Sequence, residues 1–61
     1  MQTKLSADEI AVLIAEMRRD GGRYVEGQSD AYLADLLHVT RGNVAHAIAE
    51  AKAAFEFLVG A

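Results

Sequence analysis

The sequence predicts an all-α protein: a small three-helix domain spanning residues 1–61, with a helix-turn-helix and no sheet. Apolar residues recur at the 3.6-residue helical period in three separate segments. Glycines fall between those segments, at positions 21–22, 27 and 42, and the chain has no Pro. We therefore expect a single domain with helices at about 7–20, 30–37 and 41–58.

The first helix has a clear start signal. Ser6 and Glu9 have the spacing of a capping box, in which each side chain accepts a hydrogen bond from the other residue's backbone N–H. Leu5 before the cap and Ile10 after it are placed as a hydrophobic staple. Gly21 is expected to end the helix in a left-handed conformation. The inward stripe of this helix consists of Ile10, Leu13, Ile14 and Met17.

The second helix is short and the third is long. Residues 21–28 are expected to be irregular, with at most a brief extended piece, before Ser29 or Asp30 caps the second helix. Val39 is expected to be buried in the following turn, and Thr40 to be the N-cap of the third helix. The inward residues of the second helix are Leu33, Leu36 and Leu37, with Tyr32 at the margin. Those of the third helix are Val44, Ala47, Ile48, Ala51, Phe55 and Leu58.

A short helix, a tight turn and a longer helix are the elements of a helix-turn-helix. The residues left facing outward at the start of the last helix are Thr40, Arg41, Asn43 and His46. This part of a recognition helix meets base edges in the major groove, where Arg can pair with guanine and Asn with adenine. Gly42 would let a phosphate or base approach closely, and His38 occupies the turn position that usually carries Gly. These positions form the predicted surface for double-stranded DNA.

The negative net charge of the chain argues against DNA binding. Six Lys and Arg stand against nine Asp and Glu, a net charge of −3, whereas contacts with phosphates dominate the affinity of most DNA-binding proteins. Three cations near a segment junction are weaker candidates for contact with the DNA backbone: Arg18, Arg19 and Arg23. Their simpler role is to complement the negative end of a helix dipole.

Catalytic and metal chemistry have little support in the sequence. The chain has no Cys, and His38 and His46 lie eight residues apart without a close third ligand. We therefore expect no metal, no other cofactor and no enzyme activity. No apolar run approaches the roughly 18 residues of a membrane helix, and acids interrupt the N-terminal stretch where an export signal would be apolar. We expect a cytoplasmic protein without membrane association.

The segment VTRGNVAHAIAEAKAAFE resembles the recognition helix and the following residues of the KorA/TrfB-type plasmid transcriptional repressors. KLSADEI resembles the family's opening cap and helix, and RYVEGQSDAYLADLLHV the approach to the motif, so the resemblance covers most of residues 4–56. It implies a homodimer that binds a palindromic operator and represses plasmid genes. It also places Arg41, Asn43, Ala45 and His46 on the base-facing stretch, with Thr40 and Arg41 beside the backbone.

A single module of this size buries too little surface for tight, specific DNA binding. Two copies that read half-sites roughly 34 Å apart would solve this, and we expect a homodimer. The candidate interface consists of Phe55, Phe57, Leu58 and Val59. The alternative function is a helix-turn-helix-derived protein-interaction module, similar to an antiactivator, that binds a regulator rather than DNA. The acidic net charge, Ala45 and Glu50 favour this alternative, whereas Arg41 and Asn43 favour DNA.

Overall fold

The computed structural model describes residues 4–60, with side chains described up to residue 58. Within this range the chain forms four α-helices and no strand. They are α1 (Ala7–Gly21), α2 (Arg23–Glu26), α3 (Asp30–Val39) and α4 (Val44–Gly60). The predicted all-α class is confirmed. The predicted number of helices is wrong, because the one-turn helix α2 occupies part of the segment expected to be irregular.

Side-chain caps start the first two long helices as predicted. The Ser6 hydroxyl accepts a hydrogen bond from the Glu9 backbone N–H at 3.1 Å, and the Glu9 carboxylate accepts one from the Ser6 N–H at 2.9 Å. Ser29, rather than Asp30, caps α3 by accepting from the Tyr32 N–H at 3.2 Å. These bonds satisfy backbone donors that have no partner inside the helix.

The two glycines after Asp20 have different roles. Gly21 was expected to end the first helix, but it is the last residue of α1, and the positive φ of 54° belongs to Gly22. Gly21 is buried, and a Cβ added there would lie 2.9 Å from Cγ2 of Val25. Its lack of a side chain therefore lets α2 fold back closely onto the end of α1.

One core joins all four helices. Its fully buried residues are Met17, Val25, Leu33, Leu37, Ala47 and Ala51. Most of the predicted inward stripes pack around them as half-buried residues: Leu5, Ile10, Leu13, Ile14, Tyr32, Leu36, Val44 and Ile48. α1 and α4 each contact the other three helices, so these two helices form the frame on which α2 and α3 are held.

Two residues expected to face inward are instead exposed. Val39, predicted to be buried in the turn, is 77% exposed because α3 continues through it and turns its side chain away from Leu37. Leu58 is also 77% exposed, although it lies on the same face of α4 as Ala51. α4 therefore extends past the helices against which it packs.

The second half of the chain has the order of a helix-turn-helix. α3 and α4 contact each other and are joined by residues 40–43. This arrangement is consistent with the predicted motif. The last helix begins at Val44, three residues later than the predicted start at 41. That difference moves residues 41–43 from the last helix into the turn.

Candidate nucleic-acid interface

The turn at residues 40–43 closes the C-terminal end of α3. The Gly42 N–H donates to the Leu37 carbonyl at 2.8 Å, and the Arg41 N–H donates to the His38 carbonyl at 3.3 Å. This pair of bonds defines a Schellman motif, in which the residue after the C-cap has positive φ. Here that residue is Arg41, with φ of 58°, followed by Gly42 with φ of 81°.

Arg41 is therefore in a conformation that glycine usually adopts. It is the one non-glycine residue with positive φ among the described residues. The left-handed conformation costs an L-residue roughly 1–2 kcal/mol, because Cβ approaches the following carbonyl oxygen. The Arg41 side chain is exposed and forms no ion pair with a carboxylate in the described part of the chain. The strained residue of the turn therefore has a guanidinium group that no described carboxylate pairs.

The sequence assigned the irregular turn position to His38, and this assignment is wrong. His38 is an exposed residue in the last turn of α3. The irregular backbone lies at Arg41 and Gly42, three and four residues later.

Thr40 was expected to face outward as the N-cap of the last helix, and this expectation is also wrong. Thr40 is the C-cap of α3 and is only 9% exposed. Its hydroxyl donates to the Leu36 carbonyl at 2.8 Å, so the side chain is turned into the protein. Thr40 therefore supports the turn from inside and has no surface for a base or a phosphate.

Gly42 and Asn43 complete the turn. An added Cβ on Gly42 would lie 3.5 Å from the side chains of both Leu5 and Leu13, so the turn packs against the N-terminal half of α1. Asn43 precedes α4, and its Oδ1 accepts a hydrogen bond from the His46 N–H at 3.0 Å. Asn43 is the cap that the sequence assigned to Thr40. It is exposed, and no described residue bonds its side-chain amide nitrogen.

The exposed face of the first turns of α4 continues from Asn43. Ala45 and His46 are exposed, and His46 Nε2 lies 3.4 Å from a carboxylate oxygen of Glu50. Arg41, Asn43, Ala45 and His46 are thus exposed neighbours in the turn and the first turn of α4, and we call them the turn surface. The predicted residues Arg41, Asn43 and His46 are brought together there, whereas Thr40 is not.

Arg18, Arg19 and Arg23 lie elsewhere. Arg18 bonds Asp30, the first residue of α3, whereas Arg41 follows the last turn of the same helix. A ten-residue helix is about 15 Å long, so Arg18 does not belong to the turn surface. Arg19 follows it in the last turn of α1, and Arg23 is the first residue of α2. Arg18 also donates to the carbonyls of Val25, at 3.1 Å, and Gln28, at 3.0 Å.

The third of these arginines belongs to an aromatic cluster that sequence reasoning missed. The guanidinium of Arg23 lies 5.3 Å from the centroid of the Phe55 ring. Phe55 meets Tyr24 edge to face, with centroids 5.4 Å apart, and the Lys52 ammonium lies 5.6 Å from the centre of Tyr24. The adjacent Arg23-Tyr24 pair was the available signal, but it became informative only once α2 was placed against α4.

The predicted dimer residues divide into two groups. Phe55 is half-buried in this aromatic cluster, whereas Phe57 and Leu58 are 75% and 77% exposed. Val59 lies beyond the described side chains. Two large apolar side chains thus face outward on the last turns of α4.

Neither the family models nor the curated proteins and solved structures provide a match to this chain. Within residues 4–60, no group of three or more His, Asp or Glu side chains is arranged to hold a metal ion. The same residues include no helix with the length and hydrophobicity needed to cross a membrane.

Proposed function

We propose that this protein is a small, sequence-specific DNA-binding transcriptional regulator, with the turn surface as its reading site. The observation that carries the proposal is Arg41, an exposed arginine held in a strained backbone conformation. Such strain is concentrated at functional sites, where the surrounding structure holds it in place. A glycine would fit this position without strain. We therefore infer that the function of the arginine side chain offsets the cost of the strained backbone.

The chemistry of the turn surface suits the major groove. Arg41 can donate two hydrogen bonds to guanine, and Ala45 can make apolar contact with a thymine methyl group. Asn43 and His46 add polar groups beside them. Thr40 takes no part because it is buried, and Gly42 contributes by shaping the turn.

The resemblance to KorA/TrfB-type repressors supports the finer assignment, a cytoplasmic repressor of genes on a plasmid or other mobile element. Repression is favoured over activation because steric exclusion of a polymerase from a promoter needs no surface beyond the one that binds DNA.

The first test is an NMR titration with a duplex selected by the protein from a random DNA library, compared with a scrambled duplex. We expect chemical-shift changes at residues 41–46 with the selected duplex only.

Arg41→Ala should weaken binding to that duplex by about 1–3 kcal/mol and reduce sequence preference, because a guanine contact is lost. Arg19→Ala is the matched control, since Arg19 lies away from the turn and pairs with Asp20 at 3.3 Å. Equal binding by all duplexes, or none, would contradict the proposal.

The regulator is further proposed to act as a homodimer on a palindromic operator. The support is the outward position of Phe57 and Leu58, since adjacent large apolar side chains at a helix end favour association. Phe57→Asp should convert a dimer to a monomer in analytical ultracentrifugation. A variant of unchanged mass, or a wild-type protein that is already monomeric, would exclude this interface.

The second candidate is a protein-interaction module that binds a regulator instead of DNA. The exposed Phe57 and Leu58, together with the net charge of −3, favour it. Arg41→Ala separates the two functions. A protein-binding module would tolerate this change and would lose its partner on substitution of Phe57.

A further inference from the structure

The aromatic cluster at the junction of α2 and α4 holds two cations on its surface. It consists of Arg23, Tyr24, Lys52 and Phe55, and we call it the cation–aromatic cluster. Each cation lies over one ring, Arg23 over Phe55 and Lys52 over Tyr24. The rings are half-buried and both cations are exposed. The rings are therefore held by the fold while the charges face the solvent.

Neither cation of the cluster has an ion-pair partner among the described residues. Arg18 and Arg19 pair with Asp30 and Asp20, but neither Arg23 nor Lys52 forms an ion pair with a described carboxylate. Glu26 and Glu56 lie three and four residues after the two cations, at helical spacing. Neither glutamate closes such a pair.

An aromatic ring positions a cation differently from a carboxylate. The ring attracts the cation through its quadrupole and leaves the N–H groups free for an anion. A guanidinium and an ammonium held in this way are pre-organised to contact phosphate oxygens.

The position of the cluster along α4 relates it to the turn surface. Lys52 is eight residues after Val44, so it lies about 12 Å along the helix from its start. Lys52 is also seven residues after Ala45 of the turn surface, close to two full helical turns, so both residues lie on one side of α4. A duplex bound at the turn surface can thus extend along this side of α4 and bring a backbone phosphate to the cluster.

We propose that the cation–aromatic cluster is a contact site for the phosphodiester backbone of duplex DNA, separate from the turn surface and independent of base sequence. The inference rests on the proposed function, because the turn surface sets the orientation of the duplex. It adds Lys52 to the DNA-contacting residues and places Arg23 with Lys52 rather than with Arg18 and Arg19.

The salt dependence of DNA binding tests this site. A scrambled duplex is titrated at several salt concentrations, and the slope of log K against log salt is measured by fluorescence anisotropy. Arg23→Ala and Lys52→Ala should each reduce the magnitude of the slope by about 1, since each removes one phosphate contact. Arg19→Ala should leave the slope unchanged. Phe55→Leu keeps an apolar side chain but removes the ring, so it should weaken the Arg23 contact.

NMR locates the contact directly. At low salt, the aromatic signals of Tyr24 and Phe55 should shift with every duplex, and those shifts should disappear as salt is raised. Unfolding curves of each variant confirm that the fold is retained. Unchanged slopes in both cation variants, or a larger response to single-stranded RNA than to duplex DNA, would overturn the inference.

The outcomes also separate the inference from the proposed function. If Arg41→Ala removes sequence preference while the cation variants keep the wild-type slope, only the inference fails. If the cluster responds to every duplex while residues 41–46 respond equally to the selected and the scrambled duplex, only sequence-specific reading fails. If no duplex shifts either set of signals at low salt, both are wrong.

Discussion

Two arginines, at opposite ends of α3, illustrate how differently this small protein uses the same side chain. Arg18 donates to two backbone carbonyls and to Asp30, joining α1 to the end of α2 and the start of α3. Arg41 has no acceptor for its side chain among the described residues, and its backbone has φ of 58°. One arginine has its donors inside the fold, and the other presents them to the solvent.

The difference teaches that burial and charge alone do not identify a functional arginine. Arg18 is partly exposed, with 36% of its side chain accessible, so exposure and charge alone would classify it as a surface cation. Its hydrogen bonds show that its role is structural. Arg41 combines free donors with local strain, and this combination favours an external ligand.

The largest expected effect is the loss of the Arg18 junction. Arg18→Ala should lower the free energy of unfolding by about 2 kcal/mol, because two carbonyls lose a charge-assisted donor. The bond to Asp30 adds little, since that carboxylate is 78% exposed and its pairing is screened by solvent. Urea unfolding followed by circular dichroism measures the change. Arg19→Ala, the neighbouring surface arginine, should change stability by less than about 0.5 kcal/mol.

A smaller effect is expected at Asn43. Asn43→Ala removes the side-chain acceptor for the His46 N–H and should cost about 1 kcal/mol of stability. Asn43→Asp keeps the cap, so its stability should remain close to wild type while the added negative charge weakens DNA binding. An Asp variant as unstable as the Ala variant would show that the cap is unimportant.

The fold could be predicted where the signals are local. The bond between Ser6 and Glu9 spans three residues, and the stripe through Met17 follows one helical period, so both can be read along the chain. The four residues of α2 are too few to show a period. Val25 joins the core only because Gly21 lets α2 approach α1.

The turn shows why boundaries were harder to predict. Thr40 and Asn43 are both good N-cap residues, three positions apart, and sequence preference does not choose between them. In the structure Gly42 lies against Leu5 and Leu13, residues about thirty or more positions earlier, and contacts at such a separation cannot be read along the chain. Arg41, Asn43 and His46 were predicted from the sequence to face outward, and all three are exposed. The inward position of Thr40 and the partners of Arg18 depend on tertiary structure.

The smallest expected effect on stability is also the sharpest test of the comparison. Arg41→Gly should raise the free energy of unfolding by about 0.5–1 kcal/mol. It relieves roughly 1–2 kcal/mol of left-handed strain, and the greater freedom of glycine in the unfolded chain offsets roughly 0.4–1 kcal/mol of that gain. Arg41→Ala is the matched control, because alanine keeps Cβ and therefore keeps the strain. Both variants should lose sequence preference, but only the glycine variant should become more stable.

A glycine variant that kept its sequence preference would show that the Arg41 side chain does not contact the bases. A glycine variant without added stability would show that the turn holds no strain, and the contrast with Arg18 would then depend on hydrogen bonding alone.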